Sequence, residues 1–237
     1  MPAASALLIV LVPVTFWAAY HYYHDRHRPE PLGHLLLCLL LGVLAYGLTK
    51  GFYAGLGYLG LRYDPYAFAA EGSYLALLVY AVAAIGLGEE LCKLVPYLLV
   101  VLRFREFDEP LDGIVYGSFL ALGFAVAENL HYAAFVTTTE AVARGFAGPL
   151  VHIAFASVWA YPIGRARLAR RPLAIPILIS LATAALLHGI YDFIAIGFDG
   201  RSLVIAALLI VAVWLWRLRI VRTLAAQAAV TGNPAAR

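Results

Sequence analysis

Seven long apolar stretches dominate the chain, and most of its charge falls in the short connectors between them. The stretches are about 18–28 residues long and lack period-2 alternation, so they predict membrane-crossing helices and not the strands of an outer-membrane barrel. The predicted helices cover 5–23, 32–60, 73–102, 112–136, 148–164, 173–197 and 201–221. The connectors HDRHRPEP, RYDPYAFAAEG, RFREFDEP, TTTEAVARGFAG, RARLARR and GFDGR carry the proline, glycine and charge of turns. The expected fold class is all-α: a polytopic membrane protein of about seven transmembrane helices in one bundle. That bundle would take residues 1–225, with its motif-bearing core at about 73–197, and leave 226–237 as a flexible tail.

Composition agrees with the pattern. Of 237 residues, 63% are hydrophobic and 13% charged, and the mean hydropathy is +0.84. A soluble domain carries roughly 25% charged residues, so this chain could not cover a surface facing water. The first apolar run has no basic n-region and no small-residue cleavage site after Tyr23, so it reads as a helix and not a signal peptide. Cys38 and Cys92 both fall in apolar runs, which predicts packing and no disulfide. The net charge of +3 comes from connector arginines and suggests topology, not nucleic-acid binding. Arginines crowd alternate connectors (Arg26 and Arg28; Arg103 and Arg105; Arg165, Arg167, Arg170 and Arg171) and the C-terminal stretch. The positive-inside rule then puts the N-terminus outside and the C-terminus in the cytoplasm. Trp17, Trp159, Trp214 and Trp216 read as interface anchors. Gly51 and Gly55 form a small-xxx-small packing match, and Lys50 has no evident partner and would snorkel outward.

The informative residues are those that break the apolar pattern. Glu89, Glu90, Glu128, His152, His188 and Asp192 lie inside predicted spans, where ionisable groups usually line a cavity and mark function. At 1.5 Å per residue, Glu89, Glu128, His152, His188 and Asp192 all fall about 20–28 Å from the arginine-rich boundary. Four helices thus deliver ionisable groups to one layer in the outer half of the bilayer. Lys93 follows Glu89 by four residues and Glu90 by three, so it can reach either carboxylate. Read structurally, the three form a neutralised pair. Two carboxylates beside one lysine leave excess negative charge, however, which suits one of them to general-base work. His188 and Asp192 are one turn apart, so the aspartate can fix the imidazole tautomer or serve a helix-packing hydrogen bond. Asn129 can donate to an oxyanion or bind a neighbouring helix, and His131 reads as structural.

In order along the chain, GEELCKLVPYLLV, DGIVYGSFLALGFAVAENLHY, GPLVHIAFAS and HGIYDF carry a resemblance over about residues 88–193. Together they resemble the PrsW family of intramembrane proteases, itself distantly similar to the CAAX prenyl endopeptidase and bacteriocin-immunity group. The resemblance implies hydrolysis of a peptide bond in the membrane. It maps the family's catalytic candidates onto Glu89, Glu90 and His152, and its other motif positions onto Glu128, Asn129, His188 and Asp192. Some members cut an anti-sigma factor near its extracytoplasmic side, so the implied partners are the lipid bilayer and a transmembrane protein or peptide substrate. The implied location is the bacterial cytoplasmic membrane.

Two mechanisms fit. In the favoured one, Glu89 or Glu90 activates water without any cofactor, Lys93 holds the pair, the histidines assist, and Asn129 with a histidine stabilises the oxyanion. In the other, Zn²⁺ is held by Glu90, Glu128, His152 and His188 and activates the water. The chain has no HExxH helix, which argues against ordinary zincin geometry. The leading alternative function is a proton- or ion-coupled transporter that uses the buried Glu/His/Asp cluster as a relay; against it, no inverted repeat is evident. A noncatalytic scaffold would have no need of several buried charges at one depth.

Overall fold

The computed structural model describes residues 3–24, 29–198 and 200–231. The helices are α1 (Ala3–His24), α2 (Leu32–Tyr58), α3 (Pro65–Ala70), α4 (Tyr74–Tyr80), α5 (Leu87–Leu99), α6 (Pro110–Tyr132), α7 (Thr138–Leu168), α8 (Ala174–Gly197) and α9 (Leu203–Thr231). A π-helical turn, Ala81–Gly86, joins α4 to α5, so one span runs from Tyr74 to Arg103. Among the described residues, six helical runs are long and apolar enough to cross a membrane, and α1 contributes a shorter apolar stretch, Leu7–Tyr23. The protein is an all-α polytopic membrane protein. Arg26 and Arg28, used above to orient the chain, lie outside the described residues. So does 232–237 of the expected tail, α9 being helical to Thr231.

α6 is the hub. It packs on α1, α2 and α7 and also touches α5 and α9. Its residues from Asp112 to Ala125 are all buried, as expected of a helix that is apolar all round and so has no face to give to the surroundings. Close approach is made by small residues. A Cβ on Gly42 of α2 would lie 2.0 Å from the Leu120 carbonyl oxygen, and one on Gly123 would lie 1.9 Å from that of Leu39. The α2–α6 crossing therefore needs both glycines. Gly51 and Gly55, the expected packing pair, have nothing within 4 Å of a would-be Cβ. On the periphery, Leu40, Leu75, Leu178 and Leu208 are largely exposed and present an apolar belt.

Two segments read as connectors are helical. α7 starts at Thr138, not near Gly148, because Thr137 and Glu140 form a capping box: Glu140 N–H donates to Thr137 Oγ1 and Thr137 N–H to Glu140 Oε2. α3 is nucleated by Asp64, whose side chain accepts from Tyr66 N–H at 3.0 Å, with Pro65 at the first helical position. α6 starts where Asp112 Oδ2 accepts from the backbone N–H groups of Asp108 and Glu109, at 2.8 and 2.7 Å, which is the role expected of a carboxylate there. Cys38 and Cys92 are buried free thiols.

Candidate active site

α5 supplies the centre of the site. Glu89, Glu90 and Lys93 are all buried on it, and Lys93 and Glu90 have no exposed surface. A lysine and two carboxylates in an apolar bundle are tolerable when their charges meet and their hydrogen bonds are satisfied. Lys93 Nζ donates to Glu90 Oε1 at 2.7 Å, lies 3.0 Å from His152 Nδ1 and 3.8 Å from Glu89 Oε2, and sits 4.2 Å above the Phe124 ring centroid. It thereby ties α5 to α6 and α7.

The two glutamates do different things. Glu90 is saturated: Oε1 accepts from Lys93 and from His188 Nδ1 at 2.8 Å, and Oε2 accepts from Trp159 Nε1 at 2.8 Å. Glu89 lines a cavity of about 400 Å³, and its Oε2 is buried without a hydrogen-bond partner. Trp159, expected at a membrane interface, is wholly buried instead, because its indole N–H serves Glu90. Glu128, His152, His188 and Asp192 line the same cavity as Glu89, and Glu90 stands behind its wall.

The histidines are oriented by this network. Glu90 accepts from His188 Nδ1, which directs His188 Nε2 between Glu89 Oε2 at 3.8 Å and Asp192 Oδ2 at 3.5 Å. Lys93 donates to His152 Nδ1, so His152 Nε2–H donates to Glu128 Oε2 at 2.8 Å. Glu128 also faces Arg144 Nη2 at 3.4 Å, and the Arg144 guanidinium stacks 4.1 Å over Tyr132. Lys93 thus faces Glu89 and Glu90, and Arg144 faces Glu128, while Asp192 faces His188.

Asn129 is turned away from the cavity lining. Its Nδ2 donates to the Arg144 carbonyl at 3.2 Å, which is the helix-to-helix alternative of the two roles weighed for it. Lys50, expected to snorkel alone, lies 3.3 Å from His131 Nε2, and both line the cavity. Arg62, Tyr63 and Tyr66, from the segment between α2 and α4, also line it and were not foreseen as site residues. Asp64-Pro65, an N-cap followed by a favoured first-turn proline, is the signal that could have raised that segment from connector to structured wall.

Glu89, His152 and His188 each offer one ligand atom, all within 4.8 Å of one another. That donor set suits a transition metal such as zinc: two imidazoles and a carboxylate, with Glu90 orienting His188 from behind. Of the four ligands expected from the sequence, His152 and His188 are in this group and Glu90 and Glu128 are not: Glu90 is saturated, Glu128 is held by His152 and Arg144, and Glu89 supplies the carboxylate.

The profile of the family described as "PrsW family intramembrane metalloprotease" matches residues 30–217. The chain is 28% identical over 218 residues to Protease PrsW of Oceanobacillus iheyensis, covering 92% of this chain and 94% of that one. It is 30% identical over 176 residues to Protease PrsW of Geobacillus kaustophilus, covering 74% and 73%. Against Protease PrsW of Clostridioides difficile it is 28% identical over 224 residues, covering 87% and 86%. No solved structure is a significant match. With the match running from the end of the first connector into α9 and across every element of the cavity, the chain belongs to the PrsW family of intramembrane proteases.

Proposed function

We propose that the chain is an endopeptidase of the bacterial cytoplasmic membrane that hydrolyses a peptide bond of a membrane-anchored protein, with Glu89 as the general base. The observation that carries this reading is the division of labour between the glutamates. Glu90 spends both oxygens on three donors, while Glu89 Oε2 is buried, unpartnered and faces the cavity. In this scheme Glu89 takes a proton from water as that water attacks the scissile carbonyl, then passes the proton to the leaving amine. His188 Nε2, aimed into the cavity by the Nδ1 bond to Glu90, orients the water from the other side. His152 Nε2–H, now held by Glu128, is the donor positioned to polarise the carbonyl. Arg144 balances Glu128 while that carboxylate releases the imidazole. Should a metal ion be resident, Glu89, His152 and His188 would hold it, and it would supply Lewis-acid polarisation and a more acidic bound water.

Family membership favours hydrolysis over the proton-relay alternative. The orientation with the N-terminus outside rests on arginine placement. In that orientation the cavity wall built from Arg62, Tyr63 and Tyr66, between α2 and α4, lies toward the outer side. A site in the outer half of the bilayer, acting on an anti-sigma-factor-like substrate, is consistent with that wall.

The test is kinetic. Glu89→Gln keeps size and hydrogen bonding but removes basicity, so the purified variant should fold while cleavage falls about 10²-fold or more. Normal cleavage by Glu89→Gln would sink the assignment. Exhaustive chelation with elemental analysis separates the two chemistries: full activity without metal supports glutamate-activated water, and loss restored by Zn²⁺ supports the metal.

A further inference from the structure

A second concavity of about 800 Å³ adjoins the first. Leu56 and Leu61 form one side of it, and Leu75, Ala76, Val79 and Ala83 form the other, so its surface is apolar. Tyr63 and Tyr80 belong to both concavities. With Phe68 of α3 they make a three-ring partition, each pair of centroids 5.5–6.0 Å apart. Tyr63 N–H donates to the Tyr80 hydroxyl at 3.3 Å, which links two of the three rings' residues. One short helix serves both spaces: Pro65 and Tyr66 line the polar cavity, and Phe68 lines the apolar groove.

Building on the protease reading, we infer that this groove binds an apolar stretch of a membrane-embedded polypeptide and feeds it past Tyr63 and Tyr80 to Glu89. Continuity is the main argument. An apolar furrow that led nowhere would need no more than acyl chains to fill it, whereas this one ends at two side chains that are also walls of the reactive cavity. The backbone gives the second argument. The groove is bordered by the non-helical residues 61–63 and 72–73 and by the π turn. Irregular backbone is tolerated in an apolar setting where it lines a cavity; the N–H groups of Leu61, Tyr63, Gly72 and Ser73 are already engaged, so a chain that has left helical geometry, as a peptide must before hydrolysis, would pair with carbonyl oxygens of this border.

The experiment places a photo-crosslinking residue at Leu75, on the groove, or at Leu178, on the exposed face of α8, in the full-length Glu89→Gln protein reconstituted in liposomes. The probe is a synthetic single-span leucine–alanine peptide, which carries the apolar chemistry that the groove is inferred to recognise. Position 75 should capture the peptide well above position 178. Ala76→Trp and Ala83→Trp, each filling the groove from an exposed position, should abolish the capture while leaving monodispersity and helical content unchanged. Equal capture at both positions, capture at 75 that survives both tryptophans, or labelled acyl chains at 75 that the peptide does not displace would overturn the inference. Crosslinking requires no hydrolysis, so a wild-type protein inert toward every peptide would defeat the protease reading and leave this result standing.

Discussion

At the residue scale, Lys93 and Glu90 tie α5 to α6, α7 and α8, and Glu89 keeps an unpartnered oxygen at the cavity. Lys93→Ala would strand Glu89 and Glu90 without a counter-charge inside the bundle. Breaking a buried pair in this way costs about 3–5 kcal/mol, so the variant should melt well below wild type in detergent. Trp159→Phe removes one donor from Glu90 and should cost about 1–3 kcal/mol, with catalysis affected less than in Glu89→Gln. Thermal unfolding of purified variants checks both, and an unchanged Tm for Lys93→Ala would show that the network contributes little. The sequence already indicated that these residues matter, because charges in apolar helices are conspicuous. It did not divide the roles of Glu89 and Glu90. Adjacent residues on a helix differ by about 100° in direction, and which of them meets Trp159 and His188 is decided by neighbours far along the chain.

At the element scale, the π turn between α4 and α5 is the feature that aims the site. A π turn adds a residue to the helical path and recurs at functional sites. Here it meets α8 at backbone distance: a Cβ on Gly86 would lie 2.3 Å from the Ala185 carbonyl oxygen, and one on Gly189 would lie 2.4 Å from Val82 Cα. Gly86→Ala and Gly189→Ala should therefore push α8 away, lengthen the His188–Glu90 contact and lower turnover together with stability. Gly51→Ala meets open space and should be neutral or stabilising by about 0.5–1 kcal/mol through helix propensity. Equal tolerance at Gly189 and Gly51 in an activity and melting series would refute the close-approach argument. The helices themselves were legible from hydrophobic runs, but the packing glycines were not. Gly51–Gly55 had the right spacing, yet spacing does not say which face of α2 meets a neighbour. The start of α7 was legible in principle from Thr137 and Glu140, and was masked by the polar character of the turn that it opens.

At the scale of the whole molecule, the arginine distribution predicts that a cysteine placed at Glu71 is labelled from outside intact cells and one placed at Arg170 is not. The reverse pattern would invert the topology. That Glu89, Glu128, His152 and His188 line one cavity could be anticipated from residue counts because rigid helices convert sequence distance into length. The groove beside the cavity could not, since it depends on where α3 lies. The ring of contacts around Lys93 also bears on how the protein is made. When α5 first leaves the translocation machinery it carries two carboxylates and an ammonium, each disfavoured by about 2.5–3.5 kcal/mol at the centre of a span. His152, Trp159 and His188, which bind these groups, are synthesised later, on α7 and α8. The third span should thus be held provisionally at the ribosome-bound channel and released into lipid only after α8 emerges. Nascent chains arrested just after α6 should remain extractable or crosslinked to the channel, and chains arrested after α8 should not.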